Sequence, residues 1–238
     1  MIENEWARAA ARNNAEWCDE VCRAHGLSGE FDAGVWSSAR RTPPLYPDAV
    51  SLTPEASAAD LVARIDTASP GCSVKDSFAC LDLEPMGFEV LFEAQWIHRP
   101  AVAAPVGHPG VGWEPLKSAD SLPAWESAWN DGEGGLGLFP PELSAGDTTF
   151  LAGTSLDGRI VAGAVASRSD SVVGISNLFA VGDASGGEAA AWAGCLTEVA
   201  RLWPGVPVVG YESGESLDVA VGQGFTPVGP LRIWVHTS

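Results

Sequence analysis

Apolar residues recur at helical spacing over positions 3–25. Trp6, Ala9, Ala10, Trp17, Val21 and Cys22 share one side, and Gly26 ends the run. Short runs at 35–39, 49–52 and 73–78 predict strands. Between them, 57–68 predicts a helix with Leu61, Val62 and Ile65 inward, stopped by Pro70-Gly71. After a turn or short helix around 81–86, Gly87-Phe88 leads into a long strand over 89–98. Pro and Gly interrupt 99–112, which reads as a link between two halves.

The second half opens with a strand at 113–116 and a helix at 120–130, with Leu122, Trp125 and Trp129 inward. The Gly-rich stretch 131–137 predicts a loop. Strands follow at 149–154, 159–168 and 171–181, with Asp157-Gly158 as a hairpin turn and Ser169-Asp170 as the next turn. A helix over 186–202 closes at Pro204-Gly205. A strand at 206–211, a short helix at 215–222 and a strand at 226–236 complete the chain.

The halves share an order of signals. Val62-Ala63-Arg64 and Val199-Ala200-Arg201 both fall on helices, and Arg64 precedes Phe88 by the same 24 residues that separate Arg201 from Phe225. Each Phe follows a Gly, each helix is followed by Pro-Gly, and Leu81-Asp82 matches Leu217-Asp218. The long strands end in Trp96-Ile97-His98 and Trp234-Val235-His236. Together these predict a tandem repeat of strand, helix, strand, short helix and long strand. The expected domains are 1–103, a shortened copy, and 113–238, joined by a linker at 104–112.

Composition narrows the function classes. The 238 residues, 46% hydrophobic, suffice for a sizeable core, and ten Trp are candidates to anchor it or to line a pocket. A formal charge of −18, from 31 acidic and 13 basic residues, disfavours nucleic acid and suits a cationic or amine partner. It also opposes an anionic cofactor unless the site is shielded. No run of 18 apolar residues predicts a membrane span. The start, Met-Ile-Glu-Asn-Glu-Trp, does not read as a signal peptide, and the five Cys suggest no disulfide ladder, so a cytoplasmic setting is expected. Cys18 and Cys22 share a helix face, as buried thiols or as a metal pair with His25.

The element order of 110–238, with its terminal Gln-Gly-Phe-Thr-Pro-Val-Gly-Pro-Leu-Arg-Ile-Trp-Val, resembles the GNAT acetyltransferase superfamily. The resemblance implies an α/β fold of layered α+β type, with a mixed, mostly antiparallel sheet flanked by helices. It implies acetyl-CoA or another acyl-CoA as acyl donor and a small amine as acceptor; the tandem arrangement favours a monomer, with a homodimer as the alternative. The donor is expected in a splay between the family's fourth and fifth strands. Phe179, Ala180 and Val181 would face the pantetheine, and Ser185, Gly186 and Gly187 the pyrophosphate at the helix start. The loop departs from the family form: it has no Arg or Lys, and Asp183 and Glu188 would repel a phosphate. As a plain helix start, Asp183 or Ser185 would be the cap.

Family members often place a Tyr five residues before the Phe of Gly-Phe, to protonate the departing thiolate. Here that position is Ala220. Candidate bases are Glu212, Glu215, Asn177 and Ser176, with Tyr211 as candidate acid. Asn177 could instead satisfy the backbone at a strand bulge. A catalytically inactive GNAT-like binding or interaction module is the competing expectation.

Overall fold

A computed structural model describes residues 2–101, 110–133, 135–145, 148–182 and 186–237. The chain divides into two compact units, Met1–Ile97 with Pro227–Ser238, and His98–Thr226.

The first unit begins with α1 (Ile2–Ala24), which buries Trp17, Cys18, Val21 and Cys22. Burial pushes the Cys18 thiol up to about 11 and Cys22 to about 12, so both remain protonated. Next come β1 (Gly29–Phe31), β2 (Val35–Ser38), β3 (Ala49–Ser51), α2 (Ala58–Val62), β4 (Ser73–Asp76), a 3-10 turn (Glu84–Met86) and β5 (Phe88–Arg99). The unit's sheet runs β1-β2-β3-β4, then the last strand of the chain (Thr226–His236), then β5. β1 through β3 are antiparallel, and β3 pairs parallel to β4 through Ala49↔Val74 and Val50↔Lys75. The last strand joins β4 antiparallel, from Arg232↔Asp76 to Val235↔Ser73. Sequence order groups it with the second half, yet it belongs to the first unit.

Asp48 ties the loop before β3 to β4. It is fully buried and accepts from Thr42 N at 3.0 Å, Thr42 Oγ1 at 3.1 Å, Ser73 N at 2.9 Å and Arg41 Nη1. Asp48→Asn removes the charge and turns one acceptor into a donor. The expected loss is about 1–3 kcal/mol, read by urea unfolding.

In the second unit, β6 (Val111–Pro115) leads to a 3-10 turn (Ala119–Ser121) and α3 (Leu122–Trp129). A 3-10 segment (Pro141–Ala145), β7 (Thr148–Ser155), β8 (Ile160–Arg168), β9 (Val173–Ala180), α4 (Glu188–Leu202), β10 (Val208–Glu212) and α5 (Gly214–Gly222) follow, and the last strand is β11. The order is β10-β9-β8-β7-β6, antiparallel except for the parallel pair β9 and β10. On one face Trp125 packs edge-on against Phe139, Phe150 and Phe179, and its Nε1 donates to the Leu151 carbonyl at 2.8 Å. Elsewhere in the unit, α4 approaches β6 closely, and a Cβ at Gly194 would run into the Trp113 indole.

Two expectations are corrected and one strand is added. The helix over 57–68 ends at Val62, because Asp66 accepts from the amides of Ala68 and Ser69 and builds a local turn instead. Ile65 is buried all the same. The helix over 120–130 splits at Ser121-Leu122, with Ser118 capping the 3-10 turn and Pro123 in the first turn of α3. β1 was not expected.

Both Gly-Phe pairs close a helix in the same way. Gly87 (φ 84°) and Gly224 (φ 89°) are left-handed, which glycine adopts without a Cβ clash. Gly87 N donates to Glu84 O and Phe88 N to Leu83 O; Gly224 N donates to Val221 O and Phe225 N to Ala220 O. This double bond pattern satisfies carbonyls left open at a helix end.

Candidate active site in the second unit

The parallel pairing of β9 with β10 lasts for two rungs, Val173↔Val208 and Gly174↔Val209. Beyond them Ile175–Ala180 and Gly210–Glu212 continue as strands without pairing to each other, the arms of a fork. A bulge shapes the β9 arm. Its register against β8 slips between Gly163↔Phe179 and Val165↔Ser176, and Asn177 there has φ 53°. Asn tolerates the left-handed region better than most residues. The bulge reading of Asn177 thus matches its backbone.

Backbone alternation fixes what the arm offers. Val181 N donates to Val161 O at 2.7 Å, so the peptide groups of Val181 and Phe179 turn toward β8. Those of Ala180, between them, turn toward the fork. Of the three residues expected to face a pantetheine, Ala180 presents its main chain there. The Phe179 ring packs on Trp125 at 5.1 Å.

Asn177 and Glu212 each lie three residues beyond the last paired rung, on opposite arms. Tyr211 stands level with Ser176, and all four side chains are half-buried. Glu215 is exposed on α5. Ala220 is fully buried, so no phenol occupies the position where the family resemblance expects one.

The helix start beyond β9 is built from glycine. Gly182 (φ 56°), Gly186 (φ 75°) and Gly187 (φ 80°) are left-handed, and Gly187 caps α4 without a side-chain hydrogen bond. Asp183 and Ser185 lie outside the described residues. The first amides of a helix have no intrahelical acceptor, and its dipole favours an anion.

Glu212 is the titratable centre of the fork. Burial, reinforced by the negative Glu188, pushes its carboxyl up to about 7. Glu188 opens α4 and accepts from Ser216 Oγ on α5 at 3.1 Å, linking the two helices. The sequence marks Glu188 only as a residue that repels phosphate. Ser216 carries no local signal at all, since its partner lies 28 residues away.

An acyl-coenzyme A fits this frame in part. The Ala180 main chain suits an amide-bearing arm, and the glycine-capped helix suits a pyrophosphate. The carboxylates beside the helix start oppose its charge.

No family model matches the chain, and no curated protein does. Solved structures do. A GCN5-related N-acetyltransferase from Kribbella flavida aligns with TM-score 0.67 and 18% identity over 96% of each chain. A putative acetyltransferase of the GNAT family from Novosphingobium aromaticivorans aligns with TM-score 0.59 and 14% identity, over 93% of this chain and 96% of that one. At such identities the likeness is one of fold. The forked parallel pair, the bulged arm and these alignments agree that the chain has the GCN5-related N-acetyltransferase fold.

Proposed function

We propose that the chain is an N-acyltransferase that moves an acetyl or other acyl group from acyl-CoA to a small-molecule amine. The observation that carries this reading is the fork, whose arms part after two rungs and whose bulged arm turns the Ala180 main chain inward. Acyl-CoA would supply an activated thioester. The Ala180 peptide groups would hold its arm, and Gly186, Gly187 and the first amides of α4 its pyrophosphate.

The amine nitrogen bonds to the carbonyl carbon, the carbon–sulfur bond breaks, and the nitrogen's surplus proton passes to solvent. Much of the rate would come from holding the two reactants together. Glu212 is assigned the proton for the departing sulfur. With its carboxyl raised to about 7, about half of it is protonated at neutrality, where an ordinary carboxylate is almost fully ionised. The base suggested by the sequence thus becomes an acid, in place of the phenol missing at Ala220. Tyr211 beside it is the alternative donor, and Asn177 would orient the acceptor.

The second reading, a catalytically inactive binding module, is favoured by Ala220 and by the carboxylates at the helix start. Thermal melting with millimolar acetyl-CoA tests the donor site. At a hundredfold excess over Kd, the folded state gains about 2.7 kcal/mol and the midpoint rises. An unchanged midpoint sinks the donor reading. Thiol release on adding primary amines then separates enzyme from binding module.

We also read the halves as copies of one unit. β3 with β4 and β9 with β10 are each parallel over two rungs, and each half closes a helix with the same Gly-Phe bond pattern. No described helix is long and apolar enough to cross a membrane, and the five thiols are free, which suits a reduced, cytoplasmic setting.

A further inference from the structure

The second unit carries five Lys and Arg residues, and each is engaged by a partner of its own. Arg99 donates from Nε to the Gln223 carbonyl at 2.9 Å, and Arg168 from Nη1 to the Ser169 carbonyl at 2.8 Å. Lys117 pairs with Glu114 at 3.0 Å, and Arg201, in the last turn of α4, with Glu198 at 2.5 Å. Arg159, in the turn between β7 and β8, is held by Asp157 at 2.8 Å.

The elements around Glu212 supply the opposite sign. β9 has no ionisable residue. α4 contributes Glu188, with the Glu198–Arg201 pair toward its other end. α5 carries exposed Glu215 and Asp218, and β10 adds Tyr211. Ser216 anchors the Glu188 carboxylate to α5 at 3.1 Å.

An incoming pyrophosphate would therefore meet backbone amides and carboxylates, with no uncommitted Lys or Arg among the described residues of the second unit. Two negative groups at close range in a half-buried site disfavour each other strongly. The least costly relief is a proton on a carboxylate. We propose that an anionic acyl donor enters the fork together with a proton, taken up by the Glu188–Glu212 carboxylate pair. This inference rests on the acyl-donor reading above.

The sign follows from linkage. The donor's charge favours the protonated pair, so bound protein holds its proton to higher pH than free protein. Free protein has lost half of that proton near pH 7. Affinity is therefore full below that point and falls as pH rises through it, by at most about tenfold per pH unit for one proton. The fall stops where the bound pair also ionises.

Isothermal titration calorimetry at pH 6, 7 and 8, in buffers of differing ionisation enthalpy, counts the protons taken up. Dephospho-coenzyme A is the probe, because the phosphate monoester of coenzyme A titrates in the same range. The wild type should weaken roughly tenfold from pH 6 to pH 8 and take up about half a proton at pH 7, approaching one at pH 8. The Glu188→Gln/Glu212→Gln protein, with its melting point checked at pH 6, should bind with flat affinity and take up no proton. Unchanged wild-type affinity from pH 6 to 8 would overturn the proton coupling while leaving the donor reading in place. Absence of binding at every pH would overturn both.

Discussion

Replacing Trp125 with Ala is expected to lower stability by about 3–5 kcal/mol, the range for truncating a buried aromatic. The side chain is fully buried and joins three elements: it is carried by α3, it donates to Leu151 of β7, and it packs on Phe179 of β9. Phe139 and Phe150 complete the cluster. The cavity cannot close easily, because Gly163 lies directly beneath. A Cβ there would already meet Phe179 Cε1 and Trp125 Nε1 at 2.5 Å each. For a chain of this size the midpoint should fall by roughly 10 °C. Trp125→Phe keeps most of the packing and loses the hydrogen bond to Leu151, so it should cost markedly less. Because Phe179 sits on the β9 arm of the fork, Trp125→Ala should also weaken acetyl-CoA binding well below the unfolding temperature. Calorimetric melting and titration at 20 °C read the two effects separately.

The second large effect is expected at Gly187. Its backbone, φ 80° and ψ 180°, lies in a region that only glycine occupies freely. A Cβ built there meets no neighbour, so substitution acts through the backbone alone. Gly187→Val should cost about 1–3 kcal/mol to hold the present geometry. Relaxed, the loop would leave the binding-competent form sparsely populated, and donor affinity should fall roughly 10–100-fold. Gly158, in the hairpin between β7 and β8, is the control. It too is left-handed, at φ 84°, and a Cβ there likewise meets nothing. Gly158→Val should show a comparable strain cost with donor affinity unchanged. Titration of both variants with acetyl-CoA decides the matter, and equal losses at the two positions would sink the assignment of Gly187 to the donor site.

Much of the fold is legible in the sequence because its elements carry local signals. Strand-forming runs over β7, β8 and β9, the Asp157-Gly158 turn and both Gly-Phe closures mark themselves within a few residues. The fork was readable as family order, and Asn177 as a bulge residue. What stayed hidden depends on distant partners. The pairing of β11 with β4 joins residues more than 150 positions apart, and no local pattern reveals it. Asp66 competes with the helix for its own neighbours, which cuts α2 short despite an apolar stripe that continues to Ile65. At the site, Glu212 was visible as a carboxylate at a strand end. Its raised proton affinity was not, because that depends on burial and on Glu188, which Ser216 anchors from another helix.

Amide hydrogen exchange with and without saturating acetyl-CoA tests the central claim, that the β9–β10 fork is the acyl-donor site. The fork reading predicts slowed exchange over 178–182 and 186–191, with β3 and β4 of the first unit unchanged. Protection confined to the first unit, or none along the β9 arm, would contradict it.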